Sequence, residues 1–134
     1  MLYIGKPRDR AANALAEEYA RRITRFCEFE MREVRGEKAL DARGEAYRVV
    51  LDPSGCELTS AELAALVGKA QISSVRELLF LVGGADGLSA SAREKAQLLL
   101  SLSRLTLPHE LARVILAEQI YRAFTVLRNH PYAR

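Results

Sequence analysis

Apolar positions change their spacing several times along this chain, and each change marks an element. Leu2-Tyr3-Ile4 is a short apolar run stopped by Gly5 and Pro7, which predicts a first strand. From Arg8 to about Thr24, Ala12, Leu15, Ala16, Tyr19 and Ile23 recur at helical steps and share one face. Arg10, Glu17, Arg21 and Arg25 lie elsewhere around the same helix and give it a basic outer side. Polar and apolar residues then alternate from Phe26 to Val34, which predicts a second strand. The charged, glycine-bearing stretch Arg35 to Glu45 reads as a loop.

Tyr47 to Leu51 is strand-like and stops at the turn signal Asp52-Pro53-Ser54-Gly55. Thr59 with Glu62 forms a capping-box pattern, and Leu63, Leu66, Val67 and Ala70 supply the buried stripe of the helix that follows. Leu78 to Val82 is apolar throughout, as a central parallel strand covered on both faces must be. Ser91 with Glu94 repeats the capping pattern ahead of a helix carrying Ala92, Ala96 and Leu99. Pro108 then suits the first turn of a last helix that runs to about Arg128. Strands alternating with helices predict an α/β fold with a mainly parallel sheet. The 134 residues allow one core, so residues 1–134 are read as a single domain.

Composition narrows the class. An apolar content of 49% with 28% charged residues is that of a folded globular chain. No stretch approaches the roughly 20 apolar residues of a membrane span, and Met1 leads straight into a strand, so a cytoplasmic protein with no membrane partner is expected. Cys27 and Cys56 are isolated and only His109 and His130 accompany them, so no metal centre is expected. The net charge is +3, with 16 arginines against 4 lysines. The arginine fork suits phosphate and base contacts, and a GC-rich genome produces the same bias.

The candidate chemistry lies in the last third. Gly83-Gly84-Ala85-Asp86-Gly87 leaves the carboxyl end of the presumed central strand, where open parallel sheets bind ligands. Its spacing is neither G-x-G-x-x-G nor a P-loop, and an ordinary tight turn has the same composition. Leu102 to Leu107 alternates leucine with Ser and Thr before Pro108, offering main-chain groups and an apolar wall to a flat ring, or a short edge strand. His109 fits either a structural role or a base. On the last helix, Arg113, Glu118, Tyr121 and Arg122 are unusual company for Val114, Ile115 and Phe124, and Glu118 with Arg122 has the spacing of an ion pair.

Taken together, Phe80–Leu88, Leu102–His109, Arg113–Ala123 and the tail Asn129-His130-Pro131-Tyr132 resemble the ribosomal RNA large subunit methyltransferase H family. Gly5-Lys6, Glu18-Tyr19, Arg21-Arg22 and Leu51-Asp52-Pro53-Ser54-Gly55 agree more loosely. The resemblance implies a SPOUT-type α/β fold with a C-terminal trefoil knot, a homodimer, and S-adenosylmethionine as methyl donor. The donor would contact Leu51, Gly83 and Leu102, Ser103, Arg104, Leu105, Thr106 and Leu107. The implied reaction is methylation of N3 of a pseudouridine in large-subunit rRNA, in the assembled 70S ribosome. Two departures stand out. The family usually carries a longer insert with another helix where this chain has Arg35 to Glu45, and often has Glu where Asp86 stands.

An imide nitrogen is a poor nucleophile until its proton leaves, so positioning and electrostatic stabilisation are the expected contributions. His109 is the candidate for accepting that proton or orienting the base. Arg122 or Arg134 would stabilise the anionic base, and Tyr132 would stack on it. Arg21, Arg22 and Arg25 are candidates for docking on RNA. The alternatives are a SPOUT methyltransferase acting on tRNA and a catalytically silent RNA-binding or ribosome-associated protein.

Overall fold

The apolar runs become five strands, all paired in parallel, in a computed structural model that describes residues 1–133. These are β1 (Leu2–Ile4), β2 (Arg32–Val34), β3 (Tyr47–Glu57), β4 (Leu78–Val82) and β5 (Leu98–Ser101), in the order β2-β1-β4-β3-β5. Side chains alternate across a strand, so the unbroken apolar run of β4 feeds both faces of the sheet. Phe80 and Val82 pack with Val49 on one face, and Leu79 and Leu81 pack with Val50 and Leu2 on the other.

Three helices, α1 (Arg10–Ile23), α2 (Ser60–Ile72) and α4 (His109–Leu127), cover the Phe80 face, with α4 packed against both of the others. The Leu81 face is closed by a 3-10 segment, Glu37–Arg43, and by the short α3 (Ala90–Glu94), through Leu40 and Ala92. Helix starts follow the sequence signals. Asp9 accepts from the Ala12 N–H at 3.0 Å, and Thr59 and Glu62 form the full capping box, each satisfying the other's main-chain N–H.

Four expectations need correction. The second strand is three residues long, because Phe26, Phe29 and Met31 leave the alternation to pack on the helical core; the Phe26 ring stacks on Phe124 with centroids 5.6 Å apart. The stretch Arg35 to Glu45 contains the 3-10 segment, which buries Leu40 completely. β3 continues past Asp52 to Glu57. The predicted turn survives inside it: Asp52 Oδ1 accepts from the Ser54 N–H at 2.8 Å, and the register slips so that Leu51 and Cys56 both face Leu100.

The fourth concerns the third helix. It is five residues long and is capped by Ser89, which accepts from the Ala92 N–H at 3.2 Å, and not by Ser91. Leu99 belongs to β5, since a short apolar run such as Leu98–Leu100 has no period to separate helix from strand and pairing with β3 decides it. Leu15, grouped by spacing on the same helical face as Ala12 and Ala16, is 47% exposed while those two are buried.

Candidate functional site

A parallel sheet sends every strand's carboxyl end to one edge, and the predicted donor residues lie there. Val50 faces Leu81 and Leu51 faces Leu100, so Leu51, Gly83 and Leu102 stand within about two residues of one level. The glycine loop is a tight turn in which the Gly87 N–H bonds the Gly84 carbonyl at 3.1 Å and Gly87 takes a φ of +74°. A Cβ on Gly83 would stand 3.0 Å from Leu88 Cγ, so this loop has a packing reason for its glycines.

Leu102, Ser103 and Leu107 are half-buried, while Arg104, Leu105 and Thr106 are exposed. Ser101 Oγ donates to the Ser103 carbonyl at 3.0 Å, and Ser103 Oγ accepts from the Leu105 N–H at 2.9 Å, which shapes the bend. Among the described residues, the N–H groups of Arg104, Thr106 and Leu107 have no main-chain partner. A bent, leucine-rich segment with unclaimed amides can offer an apolar wall and donors to a flat heterocycle.

His109 opens α4 behind Pro108 and is half-buried. With Gly83 it lines a small void shared with Tyr3, Gly5 and Arg113. Glu110 ties this end of α4 to the loop after β1 by accepting from the N–H groups of Arg8 at 2.6 Å and Asp9 at 3.1 Å. Those bonds hold its carboxyl below the usual carboxylate range.

Arg122 and Tyr132 assemble at the far end of α4. Asn129, at φ +52°, reverses the chain: the His130 N–H reaches the Thr125 carbonyl at 2.9 Å and the Asn129 N–H reaches Val126 at 3.2 Å, a Schellman closure. The tail folds back, and Tyr132 meets the Tyr121 ring edge-on at 4.7 Å. Glu118 organises the cluster. Its Oε1 accepts from Tyr132 Oη at 2.8 Å and from Arg122 Nη2 and Nε at 2.8 and 3.0 Å, and Arg122 lies 5.1 Å above the Tyr132 ring. Burial, then hydrogen bonding with Tyr19 and Glu118, pushes the Tyr132 phenol far above its usual range, so it remains a proton-bearing donor.

The predicted catalytic residues therefore fall into two groups. His109 and Arg122 are thirteen residues apart on one helix, about 20 Å at 1.5 Å per residue. Arg134 lies outside the described residues. A larger hollow of about 1020 Å³ opens among Phe26, Phe29, Leu78 and Phe124; Arg25 lines it, and none of the predicted catalytic or donor-contacting residues does. Two contacts of the site escaped sequence reasoning. The spacing of Glu118 to Arg122 signals their ion pair but not the bond to the tail, and the face and resemblance that mark Tyr19 do not show that its hydroxyl lies 3.3 Å from that of Tyr132.

A parallel sheet with two loops meeting at one edge, and a tail folded back on the far end of the last helix, belongs to a class that comparison identifies. Residues 1–133 match the family model described as "Predicted SPOUT methyltransferase". A solved probable methylase family protein from Haemophilus influenzae Rd KW20 superposes over 96% of this chain with a TM-score of 0.58. At 14% identity this shows the shared fold, and the chain spans 65% of that protein. Relatives from Solibacter usitatus, Thermus thermophilus and Geobacter metallireducens are 48%, 44% and 41% identical. They cover 100%, 98% and 98% of this chain and are covered by it over 97%, 94% and 96% of their own lengths. Each bears the name Ribosomal RNA large subunit methyltransferase H. The chain belongs to the SPOUT methyltransferase family and, within it, to the group of those relatives.

Proposed function

We propose that this chain transfers a methyl group from S-adenosylmethionine to N3 of a pseudouridine in large-subunit rRNA, acting on assembled ribosomes as a homodimer. The observation that carries this reading is the meeting of Leu51, Gly83 and Leu102–Leu107 at one sheet edge, in a chain whose relatives share its full length and carry an rRNA methyltransferase name. β5 lies beyond β3 from β4, so the chain crosses over β3 to reach it, which supports a threaded C-terminal half.

The residues present fit the donor. Leu51, Leu102 and Leu107 would wall an adenine ring, and the unclaimed amides of Arg104, Thr106 and Leu107 would bond its edge. When bound, the donor supplies an electrophilic methyl on a sulfonium that leaves as a neutral thioether. His109 would take the N3 proton of the base on an imidazole nitrogen. Arg122, fixed by Glu118, would place a positive charge against the resulting anion, with Arg134 as a second cation and Tyr132 as a stacking surface.

A 20 Å separation along α4 prevents His109 and Arg122 of one chain from meeting one base. Two copies bring the groups together if α4 of one chain runs antiparallel against its partner. Leu111 and Ile115, four apart on α4 and 47% and 36% exposed, offer that helix an apolar contact. Exposed Arg21 and Arg25, with half-buried Arg22, would add an RNA-facing charge. Labelled methyl transfer to intact ribosomes, separated subunits and tRNA, with mapping of the product nucleotide, tests the proposal. Label confined to tRNA would retain the chemistry and overturn the substrate.

A further inference from the structure

Arg113 is a buried cation, 2% exposed, that makes no salt bridge among the described residues; the one acid lining the same void, Glu110, acts on it only through space. Its Nη2 donates to the neutral Asn13 Oδ1 at 3.0 Å, and its guanidinium lies 4.1 Å over the Tyr3 ring. Its Nε and Nη1 are buried without a hydrogen-bond partner. Glu110, the acid nearest in sequence, spends Oε1 on the N–H groups of Arg8 and Asp9.

Buried charges in folded proteins are ordinarily paired, because an uncompensated one carries a large desolvation cost. A π face offsets part of that cost and a water molecule adds no charge. The position of the exception is informative. Arg113 lines the void it shares with Gly5, Gly83, His109 and Glu110, at the sheet edge where the donor loops leave, and the Glu110 oxygen that is bonded is committed to the Arg8 and Asp9 amides. The void is about 10 Å³, room for a single oxygen-sized group.

We infer that Arg113 is a ligand-binding residue whose guanidinium receives a negatively charged oxygen entering beside Gly83 and His109. The inference rests on the methyltransferase reading for its two sources of such an oxygen. One is the carboxylate of the donor's amino-acid end. The other is a ring oxygen of the target pyrimidine, which gains negative charge as N3 loses its proton.

The variants Arg113→Met and Arg113→Lys of the full chain decide between these sources and a structural role. Replacing an unpaired buried cation by an apolar chain of similar length leaves the ligand-free melting temperature unchanged or raises it. If the oxygen is the donor's, Arg113→Met weakens S-adenosylmethionine binding in calorimetry by about 10- to 100-fold, and binding of decarboxylated S-adenosylmethionine does not change. If the oxygen is the base's, donor binding is unchanged and single-turnover methylation of ribosomes at saturating donor falls by about 100- to 1000-fold. Arg113→Lys recovers part of either loss.

A melting temperature lowered by Arg113→Met, with donor affinity and single-turnover rate at wild-type values, would overturn the inference and make Arg113 a packing residue. Wild-type protein that binds donor but labels no rRNA would bring down the substrate reading alone. The two donors would then decide Arg113: equal weakening of both, or of neither, contradicts the inference.

Discussion

The Tyr132 hydroxyl donates to Glu118 Oε1 at 2.8 Å, closing a loop of fourteen residues that brings the chain's end back onto α4. The same oxygen accepts from Arg122, so one carboxylate holds both the tail and the nearest cation. Removing residues 129–134 should leave donor binding within about two-fold of wild type while methyl transfer stops. Binding is read by calorimetry and transfer by single-turnover labelling. Normal turnover in the truncated protein would remove the tail from the mechanism.

Glu118→Gln keeps the shape and deletes the charge. A half-buried ion pair and a charge-assisted hydrogen bond are weakened together, so a loss of about 1–3 kcal/mol in urea unfolding is expected, with donor affinity unaltered. Tyr132→Phe removes only one bond of that group and should cost about 1 kcal/mol. If Glu118→Gln were as stable as wild type, the cluster would be decoration at a frayed end.

Asn129 occupies the left-handed position of the Schellman closure. Asn129→Gly should be neutral or slightly stabilising, and Asn129→Val should cost about 1–2 kcal/mol because a β-branched residue resists φ +52°. Thermal melts of the pair check the sign.

Gly55 and Gly68 separate rigid from yielding surroundings. A Cβ at Gly55 would lie 2.5 Å from the Leu99 carbonyl carbon, which is main chain in β5 and cannot move aside. Gly55→Ala should therefore cost at least about 2 kcal/mol and disturb the donor loop. At Gly68 the nearest atom is Leu127 Cδ2 at 3.0 Å, on a partly exposed side chain, so Gly68→Ala should remain within about 0.5 kcal/mol of wild type.

Glu37, Glu62 and Glu110 all hold their carboxyls below the usual range by accepting hydrogen bonds, from Ser89, Thr59 and the Arg8 and Asp9 amides respectively. A depressed folded pKa means that this stability is complete above the unfolded pKa, about 4.3, and drains away as pH falls through the folded values. The contribution of these carboxylates to the urea midpoint should be flat from pH 7 to about pH 5.5 and drop below about pH 4.5, while the Met1 ammonium, lowered by burial to about 6, adds a decline as pH falls from about 8 towards 6. Glu110→Gln should shallow that drop. A midpoint that does not drop below pH 4.5 would contradict the role given to these carboxylates.

Much of this architecture was legible. The unbroken run Leu78–Val82 and the Thr59–Glu62 box carry local signals strong enough to place β4 and α2. What escaped depends on distant partners. Leu98–Ser101 becomes a strand only because β3 extends beside it, and the carboxylate at the start of α3 comes from Glu37, whose Oε1 takes the Ser89 N–H at 2.6 Å. The glycine loop and the leucine-rich bend were visible as a resemblance, but the buried, unpartnered nitrogens of Arg113 become visible only once burial and partners are known.

The most direct test of the central claim is labelled methyl transfer from S-adenosylmethionine to ribosomes that lack the modification, with separated subunits and tRNA alongside and the product nucleotide mapped. The account predicts label at N3 of a large-subunit pseudouridine, chiefly in intact ribosomes. Donor binding with no label in any RNA would contradict it and leave a SPOUT domain that binds without turning over.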